Sequence, residues 1–173
     1  MGHGMAGFTV LELMFVCAIA AVLAGVAAPG FHEYSLNARR TSQLNELVHA
    51  LHAARSAAIR GGQPVVLCKS SDGAHCTPLA SGWDEGWIAF VNRDADSPAV
   101  VDADEPILLR QSRVGNLSIR ANRGALTYWP FSRAGTTATF IFCDARGLES
   151  ARAVIVSQTG RPRVARAESC GQP

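Results

Sequence analysis

The run Phe8–Ala28, FTVLELMFVCAIAAVLAGVAA, constrains this chain more than any other feature. As a helix it is long enough to cross the ~30 Å hydrocarbon core of a bilayer. Its one charge is Glu12. A carboxylate in such a run is costly to desolvate and calls for a partner. A secretory signal has a basic start, a shorter apolar core and a small-residue cleavage site after that core. Here the apolar segment begins immediately after Gly7.

Pro29-Gly30 follows, and both residues weaken a helix, so a kink or a short unwound stretch is expected there. Beyond it, Leu44, Leu47, Val48, Leu51, Ala54 and Ala58 recur at the spacing of one helical face. Arg39, Arg40, Glu46 and Arg55 are expected largely off that stripe, and Gly61-Gly62 with Pro64 should stop the helix. The remainder reads as strands: Val65–Cys68, Trp87–Val91, Ile107–Gln111, Leu117–Ala121, Leu126–Trp129, Thr137–Cys143, Arg152–Ser157 and Arg163–Arg166. Phe140, Phe142, Val154 and Val156 alternate as one sheet face should. The expected class is α+β, a long N-terminal helix packed on antiparallel β-sheet. Residues 1–7, 8–28, 29–62 and 63–173 are expected to form a short N-terminal segment, the apolar helix, its amphipathic continuation and a β-rich domain.

The net charge of +2 hides two patches. Asp84, Glu85, Asp94, Asp96, Asp102, Asp104 and Glu105 face Arg93 alone between positions 84 and 105. The EF-hand pattern fails in this segment, because Pro98 occupies a ligand position and the required glycine is absent, so a solvated loop is expected rather than a calcium site. From Arg110 to Arg166 ten arginines face only Asp144 and Glu149, the asymmetry of a nucleic-acid binder. Four cysteines outside the apolar run point to two disulfides, with three pairings possible. Cys68–Cys76, closing a short loop, with Cys143–Cys170, pinning the tail, is the favoured set. No C-x-x-C or H-x-x-x-H spacing offers a zinc site, and no nucleophile elbow or Walker loop is present. Neither a cofactor, a metal nor a catalytic residue is therefore assigned. His32, His49 and His52 read as ordinary residues of the helix, and of Trp83, Trp87 and Trp129 at least two should be core.

The most pointed local feature is Gly160-Arg161-Pro162-Arg163. Glycine permits a tight turn between strands, and residues two apart in an extended chain point to the same side. Pro162 stiffens the backbone between two guanidinium forks, and such forks grip phosphates well.

Gly7-Phe8-Thr9-Val10-Leu11-Glu12 is similar to the processing site of type IV prepilins. The resemblance implies cleavage between Gly7 and Phe8 by a prepilin peptidase, N-methylation of Phe8, and Glu12 as the fifth mature residue, pairing with the amine of a neighbouring subunit. The family's leaders usually carry Lys or Arg, whereas Met1–Ala6 has only His3. The globular part resembles the FimT/GspH family of minor pilins and pseudopilins through Gly86-Trp87-Ile88-Ala89-Phe90-Val91, Glu105-Pro106-Ile107-Leu108-Leu109-Arg110 and the closing segment Val154–Arg163. This likeness covers most of the chain and implies a subunit held in the inner membrane by a single span, with its globular domain in the periplasm until assembly with other pilins. The Gly160–Arg163 segment matches a G-R-x-R motif of the DNA-binding FimT members, which implies DNA contact by Arg161 and Arg163 at the Gly160 turn, during uptake for transformation. Arg166 and Arg133 are further candidates on charge alone. The alternative is a structural minor pilin or type II secretion pseudopilin with no DNA affinity.

Overall fold

A computed structural model describes residues 9–77, 82–131 and 136–171, without the side chains of 27–29. One helix, α1, spans Val10–Gly61. Thr9 caps it, its Oγ1 accepting the amide of Glu12 at 3.2 Å, which satisfies one of the orphan donors of the first turn. The helix bends at 27–29, where Pro29 supplies no amide donor, and so the expected kink is a bend rather than an unwound stretch. Among the described residues no single straight helix is long and apolar enough to cross a membrane. The segments Val10–Val26 and Gly30–Gly61 meet that test together, by length and composition.

The chain divides into two units, Met1–Arg39 and Arg40–Pro173. In the first, the described apolar side chains of α1, from Val10 to Val26, are exposed on all sides of the helix. A bare apolar cylinder of this length is not a stable aqueous surface, and it requires lipid or neighbouring helices around it.

The second unit is built on the amphipathic part of α1. Its strands are β1 Val65–Lys69, β2 Trp87–Val91, β3 Ile107–Gln111, β4 Ser118–Ala121, β5 Ala125–Tyr128, β6 Ala138–Cys143, β7 Arg152–Val156 and β8 Pro162–Arg166. They form two four-stranded antiparallel sheets, ordered β3-β2-β1-β5 and β4-β6-β7-β8. Leu47, Ala50, Leu51, Ala54 and Ala58 of α1 pack on inward residues of both sheets, among them Leu67, Trp87, Leu126, Phe140, Phe142, Val154 and Val156. β1 has no polar alternation because both of its faces are covered. Val66 and Cys68 face away from the helix and pack under Cys76, Ala99 and Val101. Both favoured disulfides are present, Cys68–Cys76 and Cys143–Cys170.

The stripe expected on α1 is the packed face, with Ala50 added and Val48 partly buried. Arg40 departs from expectation. It lies buried rather than off the stripe, and its guanidinium donates to the Ser150 carbonyl. The cost of desolvating that charge is offset by a carbonyl acceptor and a nearby carboxylate, Asp144.

Candidate functional site

The β7–β8 connection runs from Ser157 to Arg161, with Gln158-Thr159-Gly160 as its three-residue tip. The Gly160 amide donates to the Ser157 carbonyl at 2.8 Å, and the Ser157 amide donates to the Arg161 carbonyl at 3.1 Å. Gly160 has φ +74°, the left-handed conformation that closes a three-residue hairpin loop with a bulge. The Ser157 hydroxyl holds both ends, accepting the Arg161 amide at 3.3 Å and lying 3.2 Å from its carbonyl oxygen. The turn is also seated from below. A Cβ added to Gly160 would meet Cε1 of Tyr128 at 2.8 Å. Burial pushes the Tyr128 phenol up to about 12, against the opposing charge of Arg55.

Register fixes where the arginines of β8 face. Arg163 pairs with Ile155, Val164 with Val154 and Arg166 with Arg152. Val154 and Val156 point to the helix, so Arg163, opposite Ile155, points to the outer face of the sheet, and Arg161, bonded across the turn to Ser157, precedes β8 on that side. Both are exposed, and among the described residues neither makes an ion pair. Residues two apart in extended chain are separated by about 6.8 Å, so the two forks can contact separate phosphates. Pro162 is tolerated between them because β8 is an edge strand. Arg166 is exposed too, but strand parity places it on the opposite face from Arg161 and Arg163. Arg133, Gly7 and Phe8 lie outside the described residues, while Glu12 sits exposed in the first turn of α1.

A second group of charges was not anticipated as a unit. Asp144 accepts from Arg146 through Nη2 at 2.6 Å, Nε at 3.1 Å and the backbone amide at 3.0 Å, and from the Ser150 hydroxyl at 2.8 Å. The Arg146 hydrogen bond, more than any other contact, holds the Asp144 carboxyl well below the ordinary carboxylate range. Burial, then the charges of Arg152 and Arg146, lower the pKa of Arg40, which Asp144 opposes. This network anchors the loop before β7 to α1. Only the tertiary fold reveals it, since Arg40 and Ser150 lie 110 positions apart.

The acidic loop is partly internal. Glu105 is buried and accepts the amides of Arg93 at 2.5 Å and Asp102 at 3.2 Å, so it works as a loop clamp rather than a solvated charge. Asp94, Asp102 and Glu105 bring carboxylate oxygens within 4.8 Å of one another. Arg93 pairs with Asp104 at 3.3 Å, and Arg113 with Glu85 at 3.6 Å. The acidic loop therefore does not neutralise the hairpin arginines. Trp83 and Trp87 are buried, as expected for two of the three tryptophans, and Trp129 is exposed.

A family model described as Type II transport protein GspH matches residues 43–160. A fimbrial protein of Pseudomonas aeruginosa is 29% identical over 123 residues, which is 69% of this chain and 75% of that protein. The type IV major alpha-pilin of Moraxella bovis is 37% identical over 65 residues, 38% of this chain and 41% of that one. The crystal structure of the Pseudomonas aeruginosa type IV minor pilin FimU aligns with TM-score 0.56 and 19% identity, covering 76% of this chain and 94% of FimU. The minor pseudopilin EpsH of the Vibrio cholerae type 2 secretion system aligns with TM-score 0.51 and 13% identity, covering 74% and 97%. Both alignments carry the fold, a long helix on antiparallel sheets. The family model covers well over half of the sequence, and the chain belongs to the GspH family of minor pilins and pseudopilins.

Proposed function

We propose that this minor pilin binds DNA through the outer face of its β7–β8 hairpin and serves DNA uptake. The observation that carries this reading is the pair Arg163, on an edge strand, and Arg161, in the turn just before it, both exposed and with no ion-pair partner among the described residues. Guanidinium forks held on a stiff strand bind phosphate bidentately with little entropy left to lose. Such contacts position a strand and read no bases, so binding is independent of sequence. Gly160 shapes the turn, and Arg166 adds charge on the other face of β8 rather than joining the pair. Arg133 is a further proposed contact on its charge alone. No chemistry on DNA is asked of the subunit.

The amino terminus completes the reading. Prepilin peptidase removes Met1–Gly7, and Phe8 is N-methylated. The apolar helix holds the subunit in the inner membrane, with the globular domain in the periplasm, before assembly into a pilus or pseudopilus. Glu12 then pairs with the Phe8 amine of a neighbouring subunit, which offsets the desolvation of both charges.

The test is an electrophoretic mobility shift with the full-length chain in detergent micelles and several unrelated duplexes. The wild type is expected to bind all of them with similar affinity, and Arg161→Ala with Arg163→Ala to weaken all of them alike. Unchanged binding in the double variant rejects the hairpin as the site. A wild type that binds none leaves the rival reading, a filament-initiating subunit without DNA affinity, which the match to a type II transport model favours.

A further inference from the structure

Trp129 is 45% exposed and Phe131 is 90% exposed, and they follow β5 directly. Tyr128, the last residue of β5, pairs with Val65 just past the end of α1, and its ring lies under Gly160. Strand alternation sends Trp129 to the side opposite Tyr128, away from the core. Trp129 is one peptide link from Tyr128, and Arg161 is one link from Gly160. Counting ~3.8 Å per link with one tyrosine side chain between, Trp129 and Arg161 lie no more than about 17 Å apart.

Two large aromatic rings this exposed, two residues apart, offer flat faces on which a ligand can stack. The guanidinium groups of the neighbouring hairpin, without an ion pair among the described residues, favour a polyanion over the apolar face of another subunit. A polyanion whose bases are unstacked uses both features, phosphates on the arginines and base faces on the rings. A duplex keeps its base faces inside the stack and meets only the arginines. We infer that Trp129 and Phe131 form a base-stacking subsite beside the hairpin, so that the protein holds single-stranded DNA more tightly than duplex. This inference rests on the DNA-binding reading of Arg161 and Arg163.

Trp83 and Trp87 are buried, so Trp129 is the tryptophan whose emission reports a surface ligand. With the full-length chain in micelles, a short oligothymidine is expected to quench that emission and to bind more tightly than a duplex of equal length. Stacking is worth about 1–3 kcal/mol per base, so Trp129→Ala with Phe131→Ala is expected to weaken oligothymidine binding by about tenfold or more. Duplex affinity should stay within about twofold. Trp129→Phe should retain part of the single-strand affinity, which separates stacking from misfolding. If the alanine pair leaves oligothymidine binding unchanged while Arg161→Ala with Arg163→Ala weakens both ligands, the stacking subsite is wrong and the DNA reading stands. If the wild type binds neither ligand, both fail. If the alanine pair reduces self-association and not oligothymidine binding, the rings are a subunit contact and the inference is overturned.

Discussion

Gly160 combines a left-handed backbone with a ring against its Cα, and it is the residue on which the hairpin geometry turns. Gly160→Ala is expected to destabilise the domain by about 1–3 kcal/mol, from the left-handed strain and the overpacking of Tyr128 together. Thermal unfolding measures this directly. Asp144 makes a pH prediction. Its folded pKa lies below the ordinary 3.8, so its contribution is fully present above that value and is lost as pH falls through the folded pKa. Denaturant unfolding should therefore show stability falling below about pH 4, and Asp144→Asn should flatten that fall. A variant whose acid limb matches the wild type removes Asp144 from the account. At this scale the sequence was legible where parity decides. Residues 161 and 163 must share a face, and 166 must take the other. Arg166 shares their charge and not their face. Arg40 was not legible, because its acceptor is a carbonyl in a loop far along the chain and helical patterning assigns arginine to solvent.

At the level of elements, β8 is an edge strand followed by a tail that returns to β6 through Cys143–Cys170. That bond closes a chain segment of separation 27 containing the whole hairpin. Cys143→Ser with Cys170→Ser is expected to cost about 3 kcal/mol, from the entropy returned to the unfolded chain. Local opening should rise most at β8, and hydrogen exchange at Arg163–Arg166 would register it. Equal acceleration in β1, which the bond does not touch, would mean global destabilisation instead. The strand positions were readable from turn residues and β-branched runs to within about a residue. Their division into two sheets was not. It depends on β5 returning to pair with β1 across more than fifty positions, which no local pattern encodes.

Across the whole molecule, composition and charge divide the labour. In the first unit the described residues from Val10 to Val26 are exposed on all sides of the helix, an apolar surface that lipid or neighbouring helices would cover. In the second unit the acidic loop is tied up by its own amides and by Arg93, which leaves the arginines of β8 free of it. The family membership accounts for the fold of the second unit, and the proposed DNA contact would account for the exposed arginines of its hairpin. That reading requires phosphate contact by two specific guanidinium groups. The most direct test is the salt dependence of duplex binding, measured by fluorescence anisotropy for the full-length chain in micelles. Each phosphate contact contributes about 0.9 to the slope of log affinity against log salt. Arg161→Ala with Arg163→Ala is predicted to reduce that slope by about 2, with similar losses on unrelated sequences. A double variant with the wild-type slope would contradict the account.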